Sequence, residues 1–212
     1  PRLLTMVKSY QAEALAKNQP LLLLHGGDAW QGSGYFKLNE GMANAELLSQ
    51  FGLDAMALGN HEFDLDNQKL ARFIEGVNFP VLAANLDSRD DPDLSRASNL
   101  KPFVIYAFDG NQKSPVTDLD HLPADKQLVA VIGLVLEDMA NISPNVGKLR
   151  FAKEVASAQA TVDLLQARGI QRIVALTHIG NARDLALAAK VNGLDAIVGG
   201  HSHSLLGDFR NI

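Results

Sequence analysis

Cysteine is absent from the 212 residues of the chain. Its absence excludes disulfides, thiolate metal ligands and a cysteine nucleophile, but it leaves the cellular compartment open, because secreted proteins can also lack cysteine. No apolar run approaches the roughly 18 residues that a membrane-spanning helix needs. A surplus of basic residues is also missing, since the formal net charge is −5. These absences argue against a membrane span and against binding to a nucleic-acid duplex.

The residues that are present predict one α/β domain. Hydrophobic residues make up 47% of the chain, enough for a single large core. Apolar spacing predicts helices at 3–15, 41–51, 66–75, 155–167 and 183–191, and strands at 21–24, 54–58, 81–84, 103–108, 128–136, 172–176 and 196–198. We expect 103–108 and 128–136 to form a hairpin across the polar loop 109–126. The pattern alone favours one mixed sheet with helices around it.

Polar clusters follow four of the predicted strands. They are His25–Asp28, Gly59–Asp64, Thr177–Gly180 and Gly199–His203, and they contain five of the six histidines. Ligands of open α/β sheets bind outside the carboxyl ends of the strands. We therefore expect the four clusters to meet on one edge of one sheet.

The residue types in these clusters are those of a metal centre. Aspartate, asparagine and histidine supply oxygen and nitrogen ligands without sulfur, a set that suits Zn²⁺, Mn²⁺, Fe or Co, whereas histidine argues against a pure Mg²⁺ or Ca²⁺ cage. A carboxylate can bridge two metal ions, and two ions can clamp both oxygens of an in-line displacement at phosphorus. The clusters together indicate a metallohydrolase.

The motifs in the clusters resemble those of a known superfamily. GGD at 26–28, GNHEFD at 59–64, TH at 177–178 and GGHSH at 199–203 are similar to the calcineurin-like metallophosphoesterases. Within that superfamily, the stretch 28–64 resembles the 5′-nucleotidase and UDP-sugar hydrolase branch. The resemblance implies a layered α/β/β/α sandwich of mixed sheets flanked by helices, and a periplasmic or cell-surface location.

The resemblance also implies a ligand set for two divalent metal ions, with Zn²⁺ or Mn²⁺ first and Co, Fe or Mg as alternatives. Asp28 would bridge the two ions. Asn60, His178 and His201 would complete the second metal site, and His203 would belong to the first.

The catalytic pair implied by the resemblance is His61 with Asp64. His61 would contact the phosphate and protonate the leaving oxygen, oriented by Asp64, while a metal-activated hydroxide attacks phosphorus. The expected substrate is a nucleotide or a nucleotide sugar. Two alternatives stay open: a 2′,3′-cyclic-nucleotide phosphodiesterase or 3′-nucleotidase, and a non-catalytic module that uses the metal to stabilise a binding surface.

The chain departs from the family pattern at both ends. Members begin with a strand carrying an Asp-x-His motif, which supplies two ligands to the first metal, and no such motif precedes Asp28. We therefore expect residues 1–212 to be an incomplete catalytic domain, without the first strand and without the C-terminal nucleotide-recognition domain. On its own it should be weakly active or inactive.

Several other polar residues have simpler interpretations. We predict a structural role for His25, a solvated surface position for His121, and local hydrogen bonding rather than general-base chemistry for Glu62. Asp66 is better placed than Asp64 to cap the helix that follows. The glycine-rich stretch 26–34 lacks the spacing of a dinucleotide-binding loop.

Overall fold

The computed structural model describes residues 2–205 and 207, which alternate between short strands and helices. The helices are α1 Arg2–Ala16, α2 Gly34–Asn39, α3 Met42–Leu48, α4 Asn67–Gly76, α5 Met139–Ile142, α6 Glu154–Gln166 and α7 Asn181–Lys190. The strands are β1 Leu24–His25, β2 Ala55–Ala57, β3 Val81–Leu82, β4 Leu86–Asp87, β5 Leu100–Lys101, β6 Phe103–Asp109, β7 Gln112–Val116, β8 Gln127–Val135, β9 Arg150–Phe151, β10 Arg172–His178 and β11 Ala196–Gly199. Within the described residues, no helix is long and apolar enough to cross a membrane.

The strands form two main sheets. The first is parallel, with the order β1-β2-β3-β5. The second has the order β11-β10-β8-β6-β7, in which β10 runs parallel to β8 and β11, and β6 runs antiparallel to β7 and β8. A small antiparallel pair, β4 with β9, lies apart from both sheets.

Successive side chains of β2 pack into two different hydrophobic cores, one between the two sheets and one that includes the helices. In β2, Ala55 and Ala57 pack with Leu82, Val131 and Leu176 between the two sheets. The intervening Met56 belongs to the other core, which also contains buried residues of α4 and α6. This period-two pattern is that of a strand buried on both faces. The layered α/β sandwich with flanking helices is confirmed.

The expectation of one mixed sheet is wrong, and so is the placement of all four polar clusters on one sheet edge. β6 pairs with β7 and β8 instead of joining β5, so the hairpin starts a second sheet. Two clusters follow strands of the first sheet, and two follow strands of the second. Apolar runs predict that a strand exists but carry no information about its partner.

Two local predictions also need correction. The polar loop 109–126 contains β7, an edge strand paired only with β6 within the described sheet. The helix predicted at 41–51 is shorter, and α2 precedes it. Ser33 starts α2 by accepting a hydrogen bond from the Phe36 N–H, and Glu40 ends it in a left-handed conformation.

Candidate metal centre

The first half of the site consists of the loops after β1 and β2. Asp28 has a left-handed backbone, with φ 57°, and its Oδ1 accepts a hydrogen bond from the His61 N–H at 3.0 Å. The loops touch at Gly59, where an added Cβ would lie 2.3 Å from Asp28 Oδ1. Only glycine permits this approach, which sets Asn60 and His61 beside Asp28.

The second half comes from the ends of β10 and β11. His178 is the last residue of β10 and is 2% exposed. Its Nδ1 lies 2.5 Å from the Gly26 carbonyl oxygen, so Nδ1–H donates to that oxygen. His201 follows β11 with φ 80°, and its ring lies edge-on to that of His178, 5.1 Å between centroids.

The two halves converge on one point. His178 Nε2 lies 3.1 Å from Asp28 Oδ2 and 3.2 Å from Asn60 Oδ1. His201 Nδ1 lies 2.8 Å from the same amide oxygen. The ligand atoms of Asp28, His178 and His201 all lie within 4.8 Å of one another.

This arrangement fits a bound cation. Because Nδ1–H of His178 is used on Gly26, the neutral ring presents an Nε2 lone pair to the oxygens of Asp28 and Asn60, which are themselves acceptors. Such acceptors repel one another unless a proton or a metal ion supplies positive charge between them. One carboxylate, one amide oxygen and two imidazoles form a suitable set for a divalent transition metal.

The pKa shifts of His178 and Asp28 also indicate that positive charge is stabilised at this point. Burial disfavours the His178 imidazolium, but the Asp28 carboxylate and the Gly26 carbonyl outweigh it and raise the pKa of His178. Burial opposes ionisation of Asp28, yet hydrogen bonds from the protonated His178 ring and from the His61 N–H lower the pKa of that carboxyl. Burial and the charge of His178 lower the pKa of His201, which favours its neutral, ligating form.

His61 and Asp64 form a separate pair beside this cluster. His61 Nδ1 lies 2.7 Å from Asp64 Oδ2. The other ring nitrogen, Nε2, is not used in this contact, and the His61 side chain is 44% exposed. Partial burial opposes the imidazolium, but Asp64 and then Asp28 outweigh it and raise the pKa of His61. Asp66 caps α4 by accepting from the Lys69 N–H, so Asp64 is not needed as the cap.

The remaining histidines lie outside the cluster. His203 is exposed, with φ 50°, and does not belong to the group that converges with Asp28. His25 Nδ1 accepts a hydrogen bond from the Gly27 N–H at 3.2 Å. His121 Nδ1 lies 2.8 Å from Asp118 Oδ2. The His121 side chain is 84% exposed, which confirms the predicted surface position.

Two supporting residues were not anticipated from the sequence. Glu62 hydrogen-bonds locally, as expected, to the Gly59 N–H, but it also accepts from the loop that carries Asp28, more than thirty residues earlier in the chain. Ser202 Oγ accepts from the Asn181 N–H at the start of α7. In the sequence, Glu62 is only an acidic residue inside a polar motif, and no periodic pattern signals its burial.

Comparisons with known proteins agree with this architecture. The family model described as calcineurin-like phosphoesterase matches residues 1–205. The trifunctional nucleotide phosphoesterase protein YfkN of Bacillus subtilis is 35% identical over 201 residues, which cover 87% of this chain and 14% of that protein.

Two solved structures share the fold. The 5′-nucleotidase precursor of Thermus thermophilus has a TM-score of 0.80 and 36% identity, over 94% of this chain and 36% of the other. The NAD nucleotidase of Haemophilus influenzae has a TM-score of 0.81 and 31% identity, over 98% and 33%. The chain thus spans about a third of each solved chain, and less of YfkN. With the family model matched from residue 1 to residue 205, the chain belongs to the calcineurin-like phosphoesterase family.

Proposed function

We propose that this protein hydrolyses phosphate esters of nucleotides with the help of divalent metal ions. The observation that carries the proposal is the convergence of Asp28, Asn60, His178 and His201 on one point, with the His61–Asp64 pair beside them. A partly buried, acceptor-rich cluster next to a paired imidazole is an arrangement that serves phosphoryl chemistry.

The four converging residues would hold the metal. Bound divalent ions would supply Lewis-acid stabilisation of the phosphate and lower the pKa of a bound water toward neutrality. Asp28 would face the ions with a carboxylate that is ionised at neutral pH, because its pKa is lowered. His178 would ligate through Nε2, its orientation fixed by the hydrogen bond from Nδ1–H to Gly26.

His61 would act on the leaving group rather than on the metal. Asp64 accepts from Nδ1–H, so Nε2 is the atom that can give a proton to the departing oxygen. A raised pKa keeps part of the imidazole protonated near neutral pH, as a general acid requires. Asp64 is itself fixed, because its side chain accepts from Gln31 and its carbonyl accepts from Asn145.

The substrate class is supported by the relatives. YfkN is a nucleotide phosphoesterase, and the two solved structures are a 5′-nucleotidase precursor and a NAD nucleotidase. We propose a 5′-nucleotide, a nucleotide sugar or a dinucleotide as substrate. His203, which we assign to the first metal site, lies outside this cluster, and among the described residues the metal-ligand group that converges is Asp28, His178 and His201. A non-catalytic metal-binding module is therefore the second candidate.

The proposal is tested with His61→Ala in the protein expressed from its complete reading frame. We expect hydrolysis of AMP to fall by roughly 10²- to 10⁴-fold, the usual contribution of a general acid. Metal content by elemental analysis should not change. His121→Ala is the matched control, since His121 also pairs through Nδ1 with an aspartate three residues away in the chain but is exposed on the surface.

Three results would count against the proposal. Parallel loss of metal and activity in His61→Ala would remove the role given to His61. A wild-type protein that binds metal but hydrolyses no nucleotide ester would favour the binding module. Faster hydrolysis of 2′,3′-cyclic AMP than of AMP would move the substrate to the cyclic nucleotides.

A further inference from the structure

Glu62 is a fully buried carboxylate whose partners are main-chain N–H groups. Its Oε2 accepts from Asp28 at 2.9 Å and from Gly59 at 2.7 Å. Its Oε1 accepts from Ala29 at 2.7 Å and from Trp30 at 3.1 Å. Both oxygens are therefore occupied by donors from the two loops that carry Asp28 and Asn60.

Three of these donors are consecutive in the chain and begin at a strained residue. Asp28 has φ 57°, a left-handed backbone conformation that a residue with a side chain adopts only at a cost in free energy. Successive N–H groups of such a turn form a concave anion-binding surface. The Glu62 carboxylate lies in that concavity and offsets the cost of the turn.

The turn decides where the Asp28 side chain points. With the backbone in this conformation, Asp28 Oδ1 meets the His61 N–H and Oδ2 meets His178 Nε2. The fourth donor, the Gly59 N–H, ties the same carboxylate to the residue that precedes Asn60. One side chain thus fixes the relative position of two proposed metal ligands.

We infer that Glu62 is a positioning residue of the metal centre, whose carboxylate sets the left-handed turn at Asp28 and so determines metal affinity without touching the metal. This inference rests on the proposed function, because it takes Asp28 and Asn60 as metal ligands. A merely structural Glu62 would change stability but not the affinity of the folded protein for metal.

Asp91 provides a matched control for that distinction. It is also a buried carboxylate, 4% exposed, that gathers loop N–H groups. Its Oδ1 accepts from Asp93 at 3.1 Å and from Leu94 at 2.9 Å, and its Oδ2 accepts from Asn67. These partners are not among the proposed site residues, so Asp91→Asn tests the loss of a buried carboxylate alone.

The experiment compares Glu62→Gln with Asp91→Asn by Co²⁺ titration, followed through visible absorption, and by thermal unfolding of the metal-free proteins. In Glu62→Gln an amide NH₂ replaces one oxygen and faces N–H groups that need an acceptor. Both variants should unfold at lower temperature than wild type. Only Glu62→Gln should weaken Co²⁺ binding, by roughly 10- to 100-fold, and alter the visible spectrum.

Glu62→Asp is the second variant, and it supplies the test if the glutamine variant does not fold. It keeps the charge but withdraws the carboxylate by one methylene, so we expect a smaller loss of affinity in the same direction. Wild-type affinity and spectrum in the folded Glu62 variants would overturn the inference while leaving the proposed function intact. A wild-type protein that binds no Co²⁺ would instead remove the proposed function, and with it the basis for this inference.

Discussion

The two sheets support their halves of the candidate centre in different ways. The loops from the four-stranded sheet are joined from inside by the buried carboxylate of Glu62, which accepts four main-chain hydrogen bonds. At the end of the five-stranded sheet, His201 and Ser202 are exposed, and Ser202 contacts α7 through one hydroxyl. Hydrogen bonds to a buried charge are stronger and less screened by salt than contacts at the surface. We therefore expect the first half to be preorganised and the exposed part of the second half, His201 with Ser202, to be adjustable.

His178 connects the two halves. It ends β10 in the five-stranded sheet, yet it is 2% exposed and bonds to Gly26 and Asp28 of the other half. A rigid part of the site, built from Asp28, Asn60 and His178, should therefore carry most of the metal affinity. His201 should contribute less, because an exposed side chain loses more conformational entropy on binding than a side chain that packing already holds in place.

The largest effect is expected for Asp28→Asn, which removes the charge at the junction of the two halves. Metal affinity should fall by about 100-fold or more, because a neutral amide leaves no carboxylate to compensate the cation. Co²⁺ titration measures the change. Asp184→Asn is the control, since Asp184 is a partly buried carboxylate that accepts from Thr177 and lies outside the converging group. Equal affinities in the two variants would contradict the ligand role of Asp28.

Arg183→Met removes ion pairs that hold α7, the helix that Ser202 of the adjustable half contacts. Arg183 in α7 bonds to Asp138 after β8 and to Glu154 at the start of α6, at 2.9 to 3.0 Å. Glu154 is 6% exposed, so it would lose a partner in a largely buried position. Because the Arg183 side chain is itself 39% exposed, solvent screening limits the expected loss of unfolding free energy to about 1–2 kcal/mol.

The same variant has a defined pH dependence. The hydrogen bonds from Arg183 lower the pKa of Asp138 below its ordinary value of 3.8. This stabilisation is present above the ordinary pKa and is lost as pH falls through the folded-state pKa. Urea denaturation should therefore show the full gap between wild type and Arg183→Met at neutral pH, and a smaller gap in acid below pH 3.8. Lys153→Met, which removes an exposed partner of Glu137, should have a smaller effect. A gap that widens in acid would contradict the ion-pair explanation.

The sequence predicted the polar residues of both halves, but it did not predict the contacts that hold each half in place. Local patterns were enough to place polar clusters at the carboxyl ends of β1, β2, β10 and β11, and to assign the cap of α4 to Asp66. They did not show that these strands belong to two sheets, because pairing depends on contacts between distant segments. Glu62 was missed as a link for the same reason. Its role depends on a left-handed turn at Asp28, and neither that turn nor its contact with residue 62 is visible in the local pattern.

The smallest effect is expected for Ser202→Ala, which loosens the adjustable half alone. Ser202 Oγ accepts from the first N–H of α7 at 2.6 Å and so satisfies one of the N–H groups that have no partner inside the helix. Its loss should cost about 0.5–1 kcal/mol of unfolding free energy and should weaken Co²⁺ binding only a few-fold, since His201 is a neighbour of the loosened residue. Ser204→Ala is the control, because its hydroxyl makes only a 3.3 Å contact with the Ser202 carbonyl. A loss of affinity for Ser202→Ala as large as that for Asp28→Asn would mean that the adjustable half is as preorganised as the half that carries Asp28.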